Sequence, residues 1–183
     1  VLARAAGGIA QADAGRRGEA QARFEDLARD RFAIFHRDCE WLLGMAIASE
    51  VCAMLGDLRA AEILYEELVP FAGFHAVGQA EGSVGAMDRY LGLLAEVLGR
   101  GDDAISHFEE ADRLNQRMGA RPWTLRSQVD LARVLRHRNQ AADQERAGGL
   151  ERSVRTGATE LGMVALLAQL EREAGVEPPA REA

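Results

Sequence analysis

Four side chains, Arg126, Asp130, Arg133 and His137, follow one another at spacings of four, three and four residues. That spacing sets them along one side of an α-helix, while Trp123, Leu125, Val129, Leu131, Ala132, Val134 and Leu135 make the rest of the stretch apolar. Guanidinium groups in such a row bind carboxylates in planar, charge-assisted pairs. The plainer reading of the same row is a solvated face held by an Arg126–Asp130 pair worth a few tenths of a kcal/mol. Arg89 and Tyr90, from an earlier helical stretch, would join the row in one partner-binding groove.

Other residues with chemical potential fall short of a constellation. His36, His75, His107 and His137 lie on separate stretches with no metal-ligand spacing, so surface positions are expected for them. Asp102-Asp103 and Glu109-Glu110 fall at a helix start and on a wet face, where nothing would split their pKa values as paired catalysis requires. The glycine-rich run from Gly78 to Gly85 has no lysine after it and carries Glu81 where a serine elbow needs glycine. A flexible connection is the reading it supports, with a lid or peptide-contacting loop as the alternative.

All 22 basic residues are arginine, which excludes a Walker A loop, a Schiff base or a pyridoxal-phosphate anchor within this chain. The net charge of -7 argues against nucleic acid or anionic membrane as the main partner. Cys39 and Cys52 are too few for a disulfide framework and read as small buried hydrophobes in a reducing cytoplasm. The longest nearly apolar run, Trp41 to Ala48, is far shorter than the roughly 20 residues of a membrane helix. The chain opens on Val1 and reads as a piece of something longer. No cofactor is expected.

The elements that must position these residues recur. Gly15 is followed by Ala20, Phe24 and Leu27, Gly56 by Ala61, Tyr65 and Leu68, and Gly99 by Ala104, Phe108 and Ala111, each at the same offsets. Each trio shares one helical face, and the aromatic in each is read as packing that holds a helical hairpin shut. Helices are expected over Glu19 to Phe35, Trp41 to Leu55, Leu58 to Leu68, Met87 to Leu98, Asp103 to Met118 and Trp123 to Arg138. Asp38 is the expected cap of the second, and Gly56-Asp57 ends it and starts the third. Phe71 to Gly85 reads as a loop with a fragment of helix, and Gly148-Gly149 as an interruption of the last hairpin. Val1 to Ala14 is expected as a frayed helix, Met163 to Ala174 as a closing helix, and Val176 to Ala183 as a disordered tail.

Glycine, a small residue five on, an aromatic four later and a small or aliphatic residue after three more resembles the second helix of a tetratricopeptide repeat, and Leu91-Gly92 matches its Leu-Gly pair. Ala20, Ala61 and Ala104 stand 41 and 43 residues apart, longer than the family's period of about 34. LGDLRAAEILYEELVPFAG, RYLGLLAEVLGRGDDAISHFEEA and MGARPWTLRSQVDLARVL look like the helical-repeat regions of large bacterial regulators. Those proteins carry an AAA-like or STAND ATPase with a LuxR-type DNA-binding or nucleotide cyclase domain. The resemblance implies a single all-α domain over 1–175, a right-handed superhelical stack of hairpins at about 1–35, 38–70, 83–118 and 122–160, closed by a helix at 163–174. First helices line the concave groove in that family, where arginines commonly clamp a partner's carboxylates.

The expected function is therefore a non-enzymatic, cytoplasmic protein-interaction or effector-sensing arm of a bacterial transcriptional or signalling regulator. Its partner would be a protein, a peptide or another domain of the parent chain, bound at Arg89, Tyr90, Arg126, Asp130, Arg133 and His137. The alternatives are a small-molecule sensor with a pocket near 71–85, a self-associating scaffold or homodimer, and an α-helical hydrolase or transferase without a recognised motif.

Overall fold

Residues 17–78 and 82–173 are described by the structure, a computed structural model. The expected helix at 1–14, the tail at 176–183 and the tip of the glycine-rich run lie outside them. Among the described residues, eight α-helices pack together, with one small antiparallel hairpin between the third and the fourth.

Helix α1, Arg17–Ala28, buries Ala20, Phe24 and Leu27. The sequence predicts that it continues to Phe35, with Arg31 on the apolar side. Instead the chain turns through Asp30, Arg31 and Phe32, all at positive φ, in a short 3-10 turn at Arg29–Phe32. Left-handed backbone costs an ordinary residue about 1–2 kcal/mol. The turn drives Phe32 and Phe35 into the core, with the Phe24 and Phe32 rings 5.8 Å apart, and frees Arg31 to pair with Glu66 and Glu67. Burying two phenylalanines at roughly 1.5–3 kcal/mol each offsets the strain.

Helix α2, Trp41–Leu55, is apolar on nearly every side and is covered by α1, by helix α3, Leu58–Leu68, and by strand β1, His75–Gly78. Asp38 does not cap α2 as expected: its carboxylate accepts from the Glu40 amide, and Glu40 is the residue that precedes the helix. The next boundary follows the sequence. Gly56, at φ 70°, donates its amide to the Cys52 carbonyl, and Asp57 accepts from the Ala60 amide at 3.0 Å. Asp57→Ala should therefore lower stability by about 1 kcal/mol, read as a shifted urea midpoint at unchanged slope.

Phe71 to Gly85 departs from the expected loop with a helical fragment. After a 3-10 turn at Val69–Phe71, β1 pairs antiparallel with β2, Gly82–Ala86, with His75 opposite Ala86 and Val77 opposite Ser83. Alternate residues turn inward, with Ala76 and Gly78 buried and Val77 exposed. Gly85 is required at φ 91°, and a Cβ there would stand 3.0 Å from the Trp123 ring.

Helices α4, Met87–Val97, and α5, Gly101–Arg117, turn at Gly99 and meet where Gly92 faces Phe108. Helix α6, Arg121–Arg138, has Pro122 in its first turn and ends on Asn139 at φ 57°, which takes the left-handed role of the earlier glycines. Helix α7, Ala141–Glu160, runs unbroken through Gly148-Gly149, against expectation. The two glycines cost about 1 kcal/mol each. They are bridged from outside by Arg136, whose Nε and Nη2 bond both Glu151 oxygens while Nη1 bonds Gln144, and from inside by buried Ala147 and Val154.

Helix α8, Val164–Glu173, lays Leu166 and Leu170 on Leu125, Val129, Val154 and Ala158, a small cluster apart from the main core. Helices α2, α4, α6 and α8 thus adjoin in series, while α3 and α5 each also contact the helix that follows. No helix of the described residues is long and apolar enough to cross a membrane.

Candidate binding groove

Asp130 is the centre of the arrangement. The α6 periodicity that buries Val129 and Val134 also carries Asp130 inward, leaving it 1 % exposed. A carboxylate taken out of water needs full pairing. It has it: Oδ2 accepts from Arg89 Nε at 2.8 Å and Oδ1 from Arg133 Nη1 at 2.9 Å. Arg89, itself 6 % exposed on α4, gives Nη1 to Glu50 of α2 at 2.6 Å. Arg133 gives Nε and Nη2 to both oxygens of Glu96 on α4, at 3.0 and 2.7 Å, and shares Nη1 with Glu173 of α8 at 3.2 Å. One chain of ion pairs therefore ties four helices together.

Burial works against the charge on Arg89 and Arg133, but their carboxylates outweigh it, Asp130 foremost, and both guanidiniums are held more firmly protonated than in water. Glu173 goes the other way: burial raises its carboxyl above the ordinary range despite Arg133 and Gln169.

Above this chain lies a half-open groove of about 590 Å³. Ala53, Met54, Leu93 and Val97 supply its apolar floor, and Arg126 and Arg172 complete its charged wall. Arg126 does not make the expected pair with Asp130, which is saturated by Arg89 and Arg133; its guanidinium lies over the Trp123 ring, 5.3 Å from the centroid. Neither Arg126 nor Arg172 has a carboxylate partner among the described residues.

Of the residues singled out from sequence, Arg89, Arg126, Asp130 and Arg133 converge on this groove. Tyr90 points away from it: 2 % exposed, it donates its hydroxyl to the Val84 carbonyl at 2.7 Å and so anchors β2, and burial raises its pKa. His137 is largely exposed, with Nδ1 3.8 Å from Glu96, and lines a smaller adjoining cavity of about 130 Å³. Glu50, Glu96, Arg172 and Glu173 were missed. Glu50 carried a signal, since it is the one charge in the otherwise apolar Trp41–Leu55 helix and had to find a cation.

A second polar cluster also departs from expectation. His107 is 16 % exposed rather than on the surface, while Tyr65 packs against the core as expected but is only half-buried. Asp88 accepts from the Gly73 amide at 2.7 Å and lies 3.2 Å from His107 Nδ1, while the Tyr65 hydroxyl lies 3.0 Å from His107 Nε2. A proton on Nδ1 satisfies both contacts, Nε2 then accepting from tyrosine. The cluster ties α3, α4 and α5 to the turn before β1. Cys52 is buried, its thiol pushed up to about 12 by desolvation, but Cys39 is exposed rather than buried. Among the described residues no cluster of three His, Cys, Asp or Glu side chains is placed to hold a metal ion.

Comparisons of the chain with protein-family models, with curated proteins and with solved structures gave no match.

Proposed function

We propose that this chain is a tetratricopeptide-like interaction arm of a bacterial regulator, and that it holds a segment of a partner protein, or of another domain of its parent chain, in the groove between α2, α4, α6 and α8. The observation that carries the reading is the groove itself, an apolar floor beneath two arginines that no carboxylate of the described residues occupies. Its half-open, charge-lined form suits an extended peptide better than an enclosed small molecule. A right-handed stack of hairpins accommodates the spacing of the polar contacts: Arg89 reaches Glu50 across 39 residues and Asp130 across 41, and Tyr65 reaches His107 across 42, close to the 41 and 43 between repeat alanines. The arm acts by binding rather than by chemistry, and a partner that favours one arrangement of the hairpins passes that preference to the attached domain.

Peptides selected from a random library on the wild-type chain test this. Arg126→Ala or Met54→Glu is expected to weaken the selected peptides about tenfold or more, as loss of a central contact does. Arg133 is unsuitable for the purpose because it ties α4, α6 and α8 together. Selected peptides that bind both variants as tightly as wild type would remove the proposal.

A further inference from the structure

The break after Ala28 is made by residues poorly suited to it. Asp30, Arg31 and Phe32 stand in succession at φ 48°, 54° and 61°, whereas every other positive-φ position among the described residues is glycine or Asn139. Such backbone crowds any residue with a Cβ, and a bulky one most. Nothing local requires the break. No glycine or proline occurs between Gly18 and Gly44, and the apolar period set by Ala20, Phe24 and Leu27 runs on to Phe35. The segment therefore has two arrangements open to it: the kinked one observed, and a straight helix in which the strain at all three positions is gone.

Packing and a few exposed ion pairs hold the kink. Phe32 and Phe35 are buried, with the Phe32 ring 5.8 Å from that of Phe24 and 6.5 Å from that of Phe35. Arg31 reaches Glu66 at 3.0 Å and Glu67 at 3.2 Å, and Arg37 reaches Glu67 at 2.6 Å, but both arginines are more than half exposed, where such pairs hold weakly. Helix α1 itself rests on α2, with Ala20, Phe24 and Leu27 in the shared core. Straightening Asp30 to Phe32, with the connection to α2 unchanged, redirects α1 and takes that apolar face off its seat. The face then needs an equal seat elsewhere, and the vacated one needs an equal cover. A second copy of the chain supplies both.

We infer that Arg29–Phe32 is a hinge, and that two copies of this chain exchange α1 by straightening it, each docking Ala20, Phe24 and Leu27 on the other copy's α2. The exchange is reciprocal and closes as a two-fold pair, so it ends at two copies. The contacts between α1 and α2 are kept, now between chains. What changes is the strain relieved at two hinges, the Arg31 pairs given up, and a new cover for Phe32 where the hinges cross. A short hinge under strain is the local feature that favours such an exchange. The inference is independent of the reading of the groove.

Sedimentation equilibrium of the whole chain, from micromolar to millimolar concentration, tests this with two variants at one position. Asp30→Gly accepts the kink and weakens the straight helix, while Asp30→Ala does the reverse. Both leave Phe32 and the Arg31 pairs in place. The wild type is expected to be a mixture of monomer and dimer. Because each dimer contains two hinges, its dissociation constant should be at least about tenfold higher in Asp30→Gly than in Asp30→Ala, with wild type between them. Carbon-13-labelled and unlabelled chains, unfolded and refolded together, then report where α1 sits: isotope-filtered cross-peaks between α1 side chains of one copy and α2 side chains of the other are expected. A wild type that stays monomeric at millimolar concentration overturns the inference, as does a dimer equally stable in both variants. A dimer whose α1–α2 cross-peaks arise only within one chain overturns it too, since the copies then meet through another surface.

Discussion

Asp130→Ala is expected to destabilise the fold by about 3–5 kcal/mol, the usual result of removing one partner from a buried ion pair. The magnitude follows from what remains. Arg89, 6 % exposed, keeps only Glu50, and Arg133 keeps Glu96 and the longer contact to Glu173. Two guanidiniums that burial already disfavours lose the carboxylate that compensates them most. The cost therefore comes mainly from charges left behind and only in part from bonds lost. That distinction can be measured. Arg89→Met in the Asp130→Ala background removes one stranded cation and fills its volume, so the double variant should be less destabilised than the sum of the singles. Chemical unfolding of the four proteins checks this, and a cost below about 1 kcal/mol for Asp130→Ala would show that the network is not closed as described.

Phe108→Ala should cost a similar 3–5 kcal/mol through the cavity it leaves, since the ring is wholly buried between α4 and α5. Its partner gives the sharper result. A Cβ at Gly92 would lie 2.6 to 2.9 Å from three carbons of that ring, closer than atoms in a packed core approach. Gly92→Ala is an exchange that helix propensity favours, yet here it should lose about 1–3 kcal/mol to overpacking. With the ring gone the added methyl has room. The Gly92→Ala/Phe108→Ala double variant should therefore lose at least about 1 kcal/mol less than the two singles together. Strict additivity would mean that the two helices do not meet at this point.

Much of the helical layout was legible because its signals are local. Gly56, Gly99 and Asn139 stand at left-handed turns, Asp57 caps the helix after it, and Pro122 opens another, each decided by the conformational range or hydrogen bonding of one residue. The β-hairpin was not legible, because four alternating residues interrupted by an irregular register carry too weak a period to stand out from glycine-rich loop. The unbroken α7 was missed for the opposite reason: two glycines forbid nothing, and Arg136, which bridges the turn around them, is brought there by tertiary packing. The break after Ala28 likewise depends on where Phe32 must go.

For the groove, periodicity placed Arg126, Asp130 and Arg133 on one side of a helix but could not separate the inward member from the outward one. Asp130 lies inward because Arg89 and Arg133 are there to meet it. Arg126 lies outward because Trp123 offers its face. The partners on Glu50, Glu96 and Glu173 are all 37 to 40 residues from the arginine they bond, a separation at which no single helix pattern speaks.

The central claim is that the groove between α2, α4, α6 and α8 receives a partner's segment. Methyl chemical-shift mapping with a peptide selected on the wild-type chain tests it most directly. The account predicts that Met54, Leu93 and Val97 move while exposed apolar groups elsewhere, Leu58 and Val69 on the α3 side, stay still. Shifts confined to Leu58 and Val69, with the groove methyls unmoved, would contradict it.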